Sequence, residues 1–177
     1  MTNKNEPAKR KIKPALLVID VQNYYLRSIA QRDKEMAIFF INLLIELFRK
    51  HDFPIIRIYH TGSKTGPLPG TEEFEYPDSL QIKPGDIQII KTYSDGFNKT
   101  NLNEILTKKG INTLFLCGLS AVGCVLATRT GAYNYDYKPF IVKDAIMSHN
   151  TDFTRNVEAM FDAVSFDVVK LILESTG

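Results

Sequence analysis

The chain has 177 residues, 44% of them hydrophobic, with a formal net charge of +2 and two cysteines. That length suits a single domain with a sizeable core. The near-neutral balance argues against a strong field for nucleic acid or membrane surfaces, two cysteines make no disulfide framework, and no apolar run is long enough to span a bilayer.

Residues 1–13 carry Lys4, Lys9, Arg10, Lys11 and Lys13. They read as a basic, frayed tail ahead of one domain over 14–177, with no apolar stretch of the kind a secretory leader needs. A reducing cytoplasm is the expected location. Ala15–Asp20 is the first strand, a continuous apolar run ending in Asp20-Val21-Gln22-Asn23. Asp33 through Lys50 places Met36, Phe39, Phe40, Leu43, Leu44, Leu47 and Phe48 on a helical stripe, with Asp33 as its N-cap. Pro54–His60 is the second strand. Residues 61–86 are rich in Gly and Pro, lack periodicity, and read as a lid over a site.

Ile87–Lys91 is the third strand, and Leu102–Lys109 a short helix ended by Gly110. Asn112–Cys117 is the fourth strand and Gly123–Tyr133 the next helix. Lys138–Val142 is a fifth strand, stopped by Lys143-Asp144. Thr151 or Asp152 caps a helix running through Phe161. Ala163–Ser165 is a sixth, short strand, and Val168–Glu174 a last helix. Strand–helix alternation with apolar strands predicts an α/β fold: a three-layer α/β/α sandwich around a mostly parallel, Rossmann-like six-stranded sheet.

Three of these strands end in reactive groups. Cys124 follows the small-residue turn Gly118-Leu119-Ser120-Ala121-Val122-Gly123 at a helix start. There the helix dipole favours a thiolate, and unpaired N–H groups can hold an oxyanion. Asp20 and Lys91 stand at the ends of the first and third strands, where open α/β sheets gather their sites. Each has a plainer alternative: a buried, inert thiol, a turn carboxylate, a solvated strand end.

Together these residues resemble the isochorismatase-like cysteine hydrolases, which include nicotinamidases, carbamoyl-amide hydrolases and ureidoacrylate-type amidases. Leu16 through Asn23 is similar to the opening strand with its catalytic aspartate. Lys91 through Leu102 is similar to the lysine segment, Gly118 through Thr128 to the nucleophile loop, and Asp144-Ala145 to the acid–small pair after the next strand. The resemblance implies a catalytic set of Asp20, Lys91 and Cys124. It also implies a cis peptide bond between Leu119 and Ser120, and an oxyanion hole made by the backbone N–H groups of Ser120 and Cys124. The reaction implied is hydrolysis of a small-molecule amide or ureido C–N bond through a thioester. A homo-oligomer, dimer or tetramer, is implied too.

The chain departs from the family in two places. Ala121-Val122 stands where a Thr and an acidic residue are common. Ile58-Tyr59-His60 stands where nicotinamidases carry the Asp-x-His of a metal site, so no metal is expected. No nucleotide fingerprint is present, so no cofactor is expected either. Candidate substrate contacts are Gln22, Tyr24, Tyr25, Phe74, Phe97 and Tyr133, with His60 either lining the pocket or closing its strand on the surface. The alternative reading is a catalytically inactive binding or scaffold protein on the same fold.

Overall fold

The structure, a computed structural model, describes residues 11–62 and 66–176. Most of the expected basic tail therefore lies outside the described residues. The strands are β1 (Pro14–Ile19), β2 (Ile55–His60), β3 (Ile87–Lys91), β4 (Thr113–Leu119) and β5 (Lys138–Met147). All pair in parallel, in the order β3-β2-β1-β4-β5. The helices are α1 (Asn23–Leu26), α2 (Gln31–Lys50), α3 (Leu102–Lys108), α4 (Leu126–Asn134), α5 (Thr151–Met160) and α6 (Phe166–Glu174).

Both faces of the sheet are covered, which is why the strands read as unbroken apolar runs. Leu16 and Val18 of β1 point into a layer with Ile41 and Phe48 of α2 and Val169 and Leu173 of α6. Ala15, Leu17 and Ile19, the alternate positions, point into a layer with Leu102 and Leu106 of α3, Ala132 of α4 and Val157 of α5. Each such fully buried Leu, Ile or Phe contributes roughly 1.5–3 kcal/mol over an exposed one.

The sheet has five strands rather than six. The expected sixth strand is a single parallel bridge, Val142 to Val164, too short to build a ladder. β5 runs past its expected stop to Met147, through a register shift between Leu116 and Gly118 of its β4 neighbour and with Asp144 at φ 62°. The caps differ as well. α2 starts at Gln31 behind Ala30, and Asp33 sits inside its first turn, accepting a hydrogen bond from Thr151 Oγ1. α5 is capped by Asn150, whose side chain accepts from the Asp152 N–H at 2.8 Å.

The expected lid is a strap. Of the 61–86 segment, residues 63–65 lie outside the described residues, and the rest is tied to the core at a few buried side chains. Phe74, Tyr76 and Leu80 are buried; Phe74 and Tyr76 both stack on the ring of Tyr59, with centroids 4.9 and 4.4 Å from it. The Tyr76 hydroxyl donates to the carbonyls of Val18 and Ile58, tying the strap to β1 and β2.

β1 is where the chain reverses its direction of travel across the sheet, so the ends of β1 and β4 form the switch-point crevice. Gly118 is needed there. Its φ is 109°, and a Cβ would lie 2.1 Å from the Ile19 carbonyl oxygen.

Candidate active site

Three strand ends deliver the reactive groups. Asp20 follows β1 directly, in a left-handed conformation with φ 52°. Lys91 ends β3 and is only 1% exposed. β2 lies between them, so His60, paired in register with Lys91, stands in the middle. Lys91 Nζ donates to Asp20 Oδ2 at 2.7 Å and lies 3.1 Å from His60 Nδ1. After β4 the Leu119–Ser120 peptide bond is cis. The Ser120 carbonyl then accepts from the N–H groups of Gly123 and Val125, winding a wide turn over Ala121–Val125 that is broken at Gly123. Cys124 sits in that turn, half-buried, just before α4.

Asp20, His60 and Cys124 each place a carboxylate, imidazole or thiol atom within 4.8 Å of the others. Such a trio could in principle hold a cation. Here Lys91 Nζ is already bonded to Asp20 Oδ2 and lies 3.1 Å from His60 Nδ1, so a cation there would meet an existing positive charge. The residues present fit a charge-paired thiol site better than a metal site.

Burial dominates the electrostatics. It raises the Asp20 carboxyl above its ordinary value, with Lys91 and a hydrogen bond from Cys124 opposing. It pushes the Cys124 thiol up to about 12, with the Asp20 charge adding and Lys91 opposing. Burial and the Asp20 charge thus oppose the thiolate that a place at a helix start favours. Burial, then the nearby Lys91, lowers the His60 imidazole and favours its neutral form, against the pull of Asp20. One Asp20 oxygen, Oδ1, is buried without a hydrogen bond of normal geometry, as is Ser120 Oγ.

A cavity of about 290 Å³ opens over these groups. It is lined by Asp20, Tyr25, Ser28, Ile29, His60, Leu119, Ser120, Cys124 and His149. Of the expected substrate contacts, Tyr25 and His60 face this cavity. Gln22 does not: its side chain is fully buried and clamps the His60 backbone, accepting from its N–H at 2.8 Å and donating to its carbonyl at 3.0 Å. Phe74 belongs to the Tyr59 stack, and Phe97 stacks between Tyr135 and Tyr137. Tyr133 is an exposed partner of Arg129, and Tyr24 packs edge-on against Tyr25 at 5.1 Å. Ile29 and His149 were not legible as pocket residues. Both come from connections between elements, where no periodicity marks the inward side.

A buried Asp–Lys pair thus lies beside a thiol at the switch point of a parallel sheet. Residues 14–167 match the isochorismatase domain, and the chain belongs to the isochorismatase family of hydrolases. It is 29% identical over 136 residues to the uncharacterized isochorismatase family protein YrdC of Bacillus subtilis, covering 75% of this chain and 73% of that protein. It is 33% identical over 101 residues to the ureidoacrylate amidohydrolase RutB of Agrobacterium fabrum, covering 54% of this chain and 44% of the relative, so it spans less than half of that protein. Among solved structures, N-carbamoylsarcosine amidase from Thermoplasma acidophilum superposes with a TM-score of 0.76 at 25% identity, covering 87% of this chain and 95% of that one.

Proposed function

We propose that this protein hydrolyses a C–N bond, amide or ureido, of a small molecule through a thioester on Cys124. The observation that carries the reading is the convergence of Asp20, Lys91 and Cys124 under one cavity. The amidohydrolase and amidase named among its relatives support that bond type.

The chemistry follows from the charges. An ordinary carboxylate is too weak a base for a thiol. Burial moves Asp20 upward, so it can take the Cys124 proton as sulfur attacks the carbonyl carbon. Lys91 keeps the carboxylate charged and oriented until then. The oxyanion forms against the backbone N–H groups of Ser120 and Cys124. Asp20 then gives the proton to the departing nitrogen, the C–N bond breaks, and a thioester remains. Water attacks the thioester as Asp20 takes its proton, the acid leaves, and the proton returns to sulfur.

The departure at Ala121-Val122 leaves this set intact. Ala121 is buried in the core and Val122 points outward at 43% exposure, and neither lines the cavity. That favours an enzyme over an inactive scaffold. A thiol redox pair has less support, because Cys117 belongs to the core layer on one face of the sheet and Cys124 packs against the other. We place the protein in the cytoplasm as a homo-oligomer, without nucleic-acid or membrane partners. The first of these rests on its two free thiols, the second on the family resemblance; no described helix is long and apolar enough to cross a membrane.

The test is ammonia or amine release from a panel of small amides and ureido compounds by wild type and Cys124→Ala. Release that vanishes in the variant supports the reading. Release that persists in it refutes the role of Cys124.

A further inference from the structure

We infer that His60 reads the substrate, held as the tautomer with its proton on Nε2 and donating that proton to a neutral acceptor near the scissile carbonyl. The inference rests on the C–N hydrolase reading and narrows its substrate class to small amides or ureido compounds that carry such an acceptor.

The mechanism leaves His60 unused, yet the fold holds it closely. Gln22 grips its backbone from both sides, and Tyr25 packs edge-on against its ring at 6.1 Å and 81°. Lys91 Nζ lies 3.1 Å from Nδ1. An ammonium has donors and no acceptor, so Nδ1 must accept. A neutral ring then carries its proton on Nε2. Burial and the Lys91 charge both oppose a second proton, and outweigh Asp20.

The ring also borders the cavity. One of its nitrogens lies within 4.8 Å of the Cys124 sulfur, so an acceptor hydrogen-bonded to the ring falls within a few bonds of a carbon under attack. A ring nitrogen also lies within 4.8 Å of an Asp20 carboxylate oxygen. A substrate carboxylate held there would meet like charge in a buried setting, so the acceptor that fits is neutral.

Two measurements test this. The first is long-range ¹H–¹⁵N NMR of the histidine rings at neutral pH, with His60 assigned by its loss in His60→Gln. The expected spectrum has Nδ1 unprotonated and Nε2 protonated; a protonated Nδ1 or an imidazolium overturns the inference. The second compares methoxyacetamide with butyramide, which differ by an ether oxygen in place of a methylene. Wild type is expected to favour methoxyacetamide by about tenfold in kcat/KM, chiefly through KM, and His60→Leu to bring the ratio near one. A ratio that His60→Leu leaves unchanged overturns the substrate role. No turnover of either amide, with Cys124 unacylated by every member of the panel, overturns the hydrolase reading and the substrate role with it, while the tautomer is decided by NMR alone.

Discussion

Lys91 Nζ and Asp20 Oδ2 lie 2.7 Å apart with both side chains almost fully withdrawn from water. A pair this buried is held for what it does to its neighbours, since burial costs each charge much of what pairing returns. Removing the cation leaves the carboxylate alone. Lys91→Met is expected to lower stability by about 3–5 kcal/mol and to abolish turnover. Urea unfolding and the ammonia-release assay read the two effects.

The raised Asp20 carboxyl makes stability depend on pH. Folded Asp20 holds its proton more tightly than unfolded Asp20. The folded state therefore binds more protons between the ordinary value of 3.8 and the raised one, and its contribution falls as pH rises through that window. Asp20→Asn removes the titration. Urea midpoints measured from acid to neutral pH should rise for Asn relative to wild type as pH increases; a constant difference contradicts the sign.

Cys124 should resist alkylation at neutral pH. Its thiol is pushed up to about 12, first by burial and then by the Asp20 charge. Iodoacetamide labelling in a Cys117→Ser background should climb only in the alkaline range. Asp20→Asn should shift that climb to lower pH, because it deletes the second cause. A wild-type rate that levels off below pH about 8, the behaviour of an activated thiolate, would count against this resting state.

Phe74 separates packing from substrate contact. It is 2% exposed and stacked on Tyr59. Phe74→Ala should cost about 3–5 kcal/mol in unfolding free energy while leaving KM near its wild-type value. A KM change without that loss of stability would return Phe74 to the pocket.

The clustering of the proposed catalytic trio was legible because each member directly follows an apolar strand or its turn, and a parallel sheet brings strand ends together. Asp20, Lys91 and Cys124 needed no knowledge of packing. The strap was misread because Phe74, Tyr76 and Leu80 bury themselves without helical or strand period, so a core segment looked like a lid. Gln22 and His60 looked alike as polar strand-end residues. Only the β1–β2 register shows that one holds the other's backbone. The sixth strand failed for a local reason: Val164 makes one bridge, and Ser165 turns away to cap α6.

The most direct test of the account is rapid-quench intact mass of the enzyme mixed with the amides and ureido compounds of the panel, followed by peptide mapping. The account predicts a transient adduct of the acyl group on Cys124, lost together with turnover in Cys124→Ala. Hydrolysis that continues in Cys124→Ala, or an adduct on another residue, would contradict it.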